Sequence, residues 1–217
     1  HIFGFFQSNI PDPITYIVMG ASYEGISSHF SCPEFLMEIL TGFEQGFSSP
    51  DDFVRLKAFQ CFIPLVKVIN FLSLDSTPLN ELITISLQAI VAEQNTEVLF
   101  EEIKMLSKLL KNNADQIHII AIQYIVELLD SLVAICTLEE FIFPILSCYK
   151  SIAIAIARSR NKEFLPFSEQ LIMQISQYIN NPQDSEALFF YCMKILPSFR
   201  FAIPSEVFVE LMTNIFD

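Results

Sequence analysis

Tryptophan is absent from the 217 residues, and glycine is absent from everything after position 46. The five glycines (Gly4, Gly20, Gly25, Gly42, Gly46) leave 171 successive residues without one. A β-rich fold needs many turns at positive φ, and glycine is the usual residue there. Its absence therefore predicts helices joined by short polar loops. Charge is also scarce, at 17% of residues, and one sign dominates: 25 acids against 12 bases give a formal net charge of −13. An acidic chain disfavours nucleic acid as the main partner and favours basic proteins or peptides. An apolar content of 52% is too high for a disordered acidic tail, and the few glycines and cysteines exclude collagen-like and disulfide-scaffold classes.

Catalytic and ligand-binding signatures are missing as well. No G-x-x-x-x-G-K, G-x-G-x-x-G or H-E-x-x-H occurs, and His1, His29 and His118 are the only histidines. His118 lies on an apolar stretch and reads as a packing residue. The five cysteines (Cys32, Cys61, Cys136, Cys148, Cys192) form no CxxC and stand beside no histidine at metal-ligand spacing. They read as small hydrophobes in a reducing compartment. Cys148, in Ser147-Cys148-Tyr149, has no neighbouring base to make it a nucleophile. The expectation is a non-enzymatic protein without cofactor or metal. The chain starts at His1 without Met or a basic n-region, so no signal peptide is expected there. Mean hydropathy is +0.46, but the most apolar stretch, Ile117 to Cys136, carries His118, Gln123, Glu127 and Asp130. Those four are out of place in lipid, so it reads as a buried helix and no membrane span is expected.

Prolines and capping residues place the helix starts near 32, 51, 77, 96, 114, 138, 163, 184 and 204, with one more helix near 13–29. Ser31 to Glu34 and Thr137 to Glu140 have the spacing of capping boxes. Between the starts, apolar residues keep helical spacing: Val54, Ala58, Phe62, Leu65 and Ile69 share one stripe, with Lys57, Gln60 and Lys67 off it. The 114–136 segment is apolar nearly all round, with Tyr124 and Leu128 on one side and Val126 and Leu129 on the other, and must be covered on two sides. Pro64, Pro144, Pro166 and Pro197 fall inside predicted helices, which they bend or end early.

Starts at 51, 96, 138 and 184 are 45, 42 and 46 residues apart, a two-helix period of the kind found in HEAT-type solenoids. Asp51 with Pro64 and Asp184 with Pro197 repeat at an offset of 133, three such periods. The predicted fold is all-α: a right-handed solenoid of about five helical hairpins over 1–217. Its repeats run roughly 1–30 (partial), 31–72, 76–112, 113–159, 161–201 and 203–217 (partial). Without a polar capping repeat at either end, it reads as part of a longer superhelix or as a chain capped by a partner.

The segment from Cys32 through Ser49-Pro50-Asp51-Asp52-Phe53-Val54-Arg55 to Ala58 resembles a HEAT repeat. The resemblance implies that Asp51 or Asp52 caps the second helix and that Arg55 reaches an acid in the adjacent repeat, one rung of a ladder. Leu188 stands where Arg55 would recur in the last copy, so the ladder is not continuous. Ala21-Ser22-Tyr23-Glu24-Gly25, Asn161-Lys162-Glu163-Phe164 and Pro182-Gln183-Asp184 with Met193-Lys194-Ile195-Leu196 resemble the importin-β (karyopherin-β) family of nuclear transport receptors. That likeness implies a cytoplasmic and nuclear protein that binds basic cargo, a Ran-type GTPase and Phe-Gly nucleoporins. It places Phe35, Phe43 and Phe47 at a groove for Phe side chains, against a reading of the same residues as core. The generic HEAT features are shared by structural scaffolds such as that of protein phosphatase 2A, which is the alternative.

The candidate partner-binding residues lie on the helix after Thr96. Glu97, Glu101, Lys104, Lys108 and Lys111 recur every three or four residues as a charged stripe, acids before bases. Its plain reading is a solvated face. In a solenoid, second helices line the concave surface, and there Glu97, Glu101 and Glu102, with Lys104 and Lys108, would meet a partner.

Overall fold

The structure, a computed structural model, describes residues 12–22, 32–66, 76–113, 124–129, 131, 139–159, 165–180 and 186–216. Its elements are α1 (Pro13–Ala21), α2 (Pro33–Phe47), α3 (Asp52–Val66), α4 (Ser76–Ala92), α5 (Thr96–Asn112), α6 (Glu139–Ser159), α7 (Leu165–Asn180), α8 (Glu186–Ile195), a 3-10 helix (Leu196–Phe201) and α9 (Ser205–Phe216). Residues 124–129 are helical too, and no strand occurs among the described residues. The chain is all-α. It divides into two compact units, residues 1–112 and 113–217.

In the first unit, α3 packs against α1 on one side and α5 on the other, while α2 packs on α4. The two hairpins, α2–α3 and α4–α5, thus meet first helix to first helix and second helix to second helix, and α3 also meets α1. A helix in the middle of a layer has neighbours on several sides and cannot present a single apolar stripe. That is why α3 buries Phe59, Ile63 and Val66 besides the predicted Val54, Ala58, Phe62 and Leu65. In the second unit, α6 packs on α8 and the 3-10 helix, α7 on α9, and α7 also on α8. Its core gathers Ile145, Leu146, Tyr149 and Ile152 from α6, Leu171, Ile172 and Ile175 from α7, and Cys192, Leu196 and Phe199.

Local chemistry explains the helix starts. Asp12 accepts a hydrogen bond from the Ile14 amide at 2.8 Å, and Pro13 supplies a first-turn residue that needs no partner. Asp51 accepts from the Phe53 amide at 2.8 Å and the Val54 amide at 3.4 Å, so of the two candidates it is Asp51 that caps α3. Asn95 does the same for the Glu97 and Val98 amides of α5, at 3.0 and 3.3 Å.

Three expectations change. The first helix ends at Ala21 rather than near 29: Ser22 leaves the helix with its amide donating back to the Val18 and Met19 carbonyls. The N-cap of α2 is Cys32, one residue after the expected Ser31; its thiol bonds Glu34 Oε2 at 3.0 Å and no side chain caps the helix there. Tyr124 is half exposed while Ile125, Val126 and Leu129 are buried, so the seven described residues of that segment show one covered face. The prolines divide as well. Pro64 and Pro144 sit inside α3 and α6, Pro166 falls in the first described turn of α7, and Pro197 coincides with the change from α to 3-10 winding after Ile195. Ser31, His118, Cys136, Thr137, Glu163 and Asp184 lie outside the described residues.

Gly20 and Gly46 serve close approach within helices rather than turns. Tyr16 of α1 lies across α2, its hydroxyl donating to the Gly42 carbonyl at 2.9 Å. A Cβ on Gly46 would stand 2.6 Å from Tyr16 Cζ and Oη and 2.8 Å from Ala58 Cβ. Gly46 leaves the room in which the Tyr16 ring lies, and burial there pushes its phenol up to about 12. Gly46→Ala is expected to overpack this slot and cost about 2 kcal/mol, read as a lowered urea midpoint at unchanged m-value. An unchanged midpoint would mean that the slot has room the geometry denies.

Thiol chemistry offers a second check. Cys32 is exposed, Cys61 is intermediate, and Cys148 and Cys192 are buried, with burial pushing the Cys192 thiol up to about 12. An aromatic disulfide reagent at pH 8 is expected to label Cys32 in the folded chain and Cys192 only after unfolding. Labelling of both at one rate would contradict the packing of the second unit.

Candidate functional site

The turn between α2 and α3 and the turn between α4 and α5 meet in the first unit. The residue that joins them is Arg55, one turn into α3. Its Nε donates to Glu93 Oε2 at 2.8 Å and its Nη2 to Glu93 Oε1 at 3.0 Å, a two-pronged pair. Nη2 also meets Asp52 Oδ1 at 2.6 Å, and Nη1 donates to the Ser49 carbonyl at 2.8 Å. Asp52 Oδ2 accepts from Asn95 Nδ2 at 2.9 Å, so a second bond crosses between the hairpins. Glu93 further accepts from the Gln94 and Asn95 amides at 2.9 and 2.8 Å.

The charges answer to these contacts. Burial works against the Glu93 carboxylate, yet the bonds from Arg55 and from the Asn95 and Gln94 amides hold it below the usual range. Hydrogen bonds from Asn95, then from Arg55, lower Asp52. The Glu93 bond raises Arg55 further above its ordinary value.

Around this cluster lies a cleft of about 880 Å³. Arg55, Asp52, Glu93, Glu44 and Glu102 line it with apolar parts of Phe47, Ile85, Ala89 and Ala92. Glu44 is raised, first by burial and then by the charge of Glu81. Glu102 stands apart. It is fully buried, and neither carboxyl oxygen has a hydrogen-bond partner among the described residues. Burial first, and the Glu93 charge second, push it up to about 8, against the opposing pull of Arg55. At neutral pH it is mostly a neutral acid.

The sign of this shift fixes a pH dependence. Between the unfolded pKa near 4.5 and about 8, the folded state holds a proton that the unfolded state has released. Stability is therefore lost as pH rises through that window. Glu102→Gln keeps the shape of the neutral acid and removes the titration. Relative to the native chain, it is expected to gain about 3 kcal/mol between pH 5 and pH 8, measured by urea titration at each pH. A constant difference across that range would show that Glu102 titrates as a solvated acid.

Of the residues singled out in the sequence, Asp51, Asp52 and Arg55 come together here, with Glu93 of the following hairpin as the acid that Arg55 reaches. The α5 stripe is a different matter. Glu97 is exposed, but Glu101 is only 8% exposed and pairs with Lys104 at 3.0 Å. Lys104 also lies 5.7 Å from the Phe100 ring, and Lys108 is intermediate in exposure. Glu102 does not belong to the stripe. Five residues at about 100° each put it about 140° round from Glu97, among Val98, Met105 and Leu109. As for the predicted groove, Phe43 and Phe47 are buried at 0% and 2% exposure, in contact with Phe59, Phe62 and Tyr16. Phe35 is intermediate. Cys148 is buried.

Sequence reasoning missed Glu93 and Glu44, and it read Asn95 before Thr96-Glu97 only as a helix cap. Glu93 falls in a loop with no periodicity to single it out. Only its distance from Arg55 of 38 residues, close to one repeat, marked it as an acid in the adjacent hairpin. Among the described residues no group of three or more His, Cys, Asp or Glu could hold a metal ion, and no helix is long and apolar enough to cross a membrane. The chain matches no known family, no curated protein and no solved structure at a level that carries an assignment.

Proposed function

We propose that this chain is a non-enzymatic, protein-binding α-solenoid of the HEAT type, whose partners are basic proteins or peptides. Within that class, the importin-β-like reading makes it part of a nuclear transport receptor that works in cytoplasm and nucleus. Such a receptor carries basic cargo and meets a Ran-type GTPase and Phe-Gly nucleoporins. What supports the reading is the joint between the two hairpins of the first unit: Arg55 of one bonded through two nitrogens to Glu93 of the next, with first helix meeting first helix and second meeting second. Nearest-neighbour joints of this kind are what a linear stack needs. The acidic excess supplies the charge of the partner.

A capture experiment with the full chain tests it, with basic peptides, Phe-Gly repeat peptides and a GTP-loaded Ran-type GTPase as baits. Retention of all three is expected for a transport receptor, and failure of all three would remove both the transport reading and the basic-partner reading. The scaffold alternative, of the phosphatase 2A kind, is favoured by one observation: the Arg55 cluster fastens hairpins to each other, with Arg55 and Glu93 turned largely inward. A scaffold is expected to ignore the Phe-Gly peptides and the GTPase.

The linear character has its own test. In a solenoid each hairpin depends on its neighbours rather than on a common centre, so residues 1–112 expressed alone are expected to keep native helix content and unfold cooperatively. Loss of helix on cutting after Asn112 would point to a closed globule.

A further inference from the structure

Bases are scarce in this acidic chain, yet they collect on one face of the first unit. The first helices α2 and α4 contain Glu34, Glu38, Glu44 and Glu81 and no Lys or Arg. Lys57, Lys104, Lys108 and Lys111 stand on the second helices α3 and α5. Those two helices run side by side and parallel. Asn95 Nδ2 meets Asp52 Oδ2 at 2.9 Å at their starts, and Asn112 Nδ2 donates to the Val66 carbonyl at 3.1 Å at their ends. α3 is covered by α1, α2 and α5, and α5 by α3 and α4, so each leaves a stripe uncovered on the side away from its own first helix. On α3 that stripe carries Phe53, Lys57 and Gln60, and on α5 it carries Glu97, Phe100 and the three lysines.

Two of these lysines are seated on aromatic rings. Lys57 Nζ lies 5.4 Å from the Phe53 ring centroid and 3.0 Å from Gln60 Oε1, and no acid pairs with it among the described residues. Lys104 Nζ lies 5.7 Å from the Phe100 centroid and pairs with Glu101, its side chain still 42% exposed. The spacing recurs in the second unit, where Phe190, 60% exposed, stands four residues before the exposed Lys194 on α8. A solvated face needs charge alone. Rings left in water beside ammonium groups on three helices are more than solvation asks for. A ring also restrains its lysine, so less side-chain freedom is lost when an anion binds.

We propose that the outer stripes of α3 and α5 form a docking face for an extended acidic peptide segment of a partner protein, with its carboxylates against the four lysines and its apolar side chains against Phe53 and Phe100. This goes beyond the proposed function: basic partners answer to the acidic excess of the chain as a whole, and this face takes the opposite charge. Rings beside lysines also suit single-stranded nucleic acid. A peptide is favoured because a chain of charge −13 repels a polyphosphate, and because Asp51, Asp52 and Glu97 close one end of the face with acids. Helices of 15 and 17 residues make the face about 25 Å long, the span of about seven residues of extended peptide.

The test uses the full chain and a fluorescein-labelled octapeptide, Glu-Glu-Phe-Glu-Glu-Phe-Glu-Glu, followed by anisotropy at low salt, with the same peptide carrying Gln for every Glu as control. Native protein is expected to bind the acidic peptide, to ignore the neutral one, and to lose at least tenfold in affinity in about 0.3 M salt. Lys57→Gln with Lys104→Gln, the fold checked by circular dichroism, is expected to weaken binding at least tenfold. Lys57→Arg with Lys104→Arg keeps charge and ring contact and is expected to stay within threefold of native. Thr41→Glu with Thr84→Glu, on the exposed sides of α2 and α4, changes net charge by the same amount and is expected to cost less than threefold. If the Gln variant binds as native does, or the Thr variant loses as much as the Gln variant, the face is overturned. An octathymidylate that binds more tightly than the acidic peptide makes the face a nucleic-acid site and overturns the peptide proposal. If the acidic peptide fails to bind at low salt, the proposal falls, and the capture of basic peptides still decides the proposed function separately.

Discussion

Arg55→Ala is expected to lower the stability of the first unit by about 4 kcal/mol, the range found when one partner of a buried ion pair is removed. The Arg55 side chain is 16% exposed and that of Glu93 only 4%, so solvent does little to replace the lost contacts. Truncation strips two bonds from Glu93 and one from the Ser49 carbonyl. It also leaves Glu93 ionised beside Glu102, with no opposing charge in the cleft. Three comparisons separate this from a loss of packing. Adding Glu93→Gln to Arg55→Ala is expected to restore about half of the loss, because the orphaned charge goes with it. Arg55→Lys is expected to restore less, since an ammonium cannot reach both carboxylate oxygens and the Ser49 carbonyl with one planar fork. Acid also erases the difference. Glu93 is held below its ordinary value, so the stability it lends is present at neutral pH and is lost as pH falls through that lowered value. Urea midpoints for the four proteins at pH 7 and at an acid pH below that lowered value read all of this. A loss below about 1 kcal/mol for Arg55→Ala would show that the hairpins do not depend on this joint.

What could be read before the structure, and what could not, follows from how far each signal travels along the chain. Helix starts are written locally: Asp51 before an apolar stripe and Asn95 before Thr96-Glu97 are short patterns, and both residues cap where the patterns place them. The HEAT-like segment also pointed at Arg55 and at an acid in the following hairpin, since the type of partner is set by charge. Which acid could not be read, because Glu93 is fixed by where the α4–α5 turn stops against the α2–α3 turn. Glu102 was grouped with Glu97 and Glu101 by adjacency of charge. Angular position on the helix already separated it from them, and was the better guide. The slot at Gly46 was invisible for a different reason: its meaning depends on Tyr16, in another helix, lying across it. Pro64 and Pro197 occupy matching places in the 133-residue repeat but only Pro64 stays within an α-helix, because helix winding is decided by what packs around the proline.

Phe43→Ala is expected to cost about 4 kcal/mol, within the range for a buried phenylalanine. Phe43 has no exposed surface, and its ring centroid lies 5.3 Å from Tyr16, 4.8 Å from Phe62 and 6.0 Å from Phe47. Those three rings belong to α1, α3 and α2, so the side chain sits where three helices meet. Removing it leaves a void walled by rigid rings, which cannot collapse as flexible aliphatic chains do, and the cavity contribution stays large. Phe53→Ala is the control. Phe53 is 53% exposed, and its chief contact is the Lys57 ammonium 5.4 Å above the ring, so a loss below about 1 kcal/mol is expected. The pair also decides between two roles for Phe43. A residue bordering a groove for a partner's phenylalanine would leave the urea midpoint unchanged when truncated and would weaken capture of Phe-Gly peptides. A core residue loses stability, and at temperatures well below the transition it leaves capture intact. Full burial among Tyr16, Phe47 and Phe62 requires the second pattern, and an unchanged midpoint with lost capture would reverse the assignment.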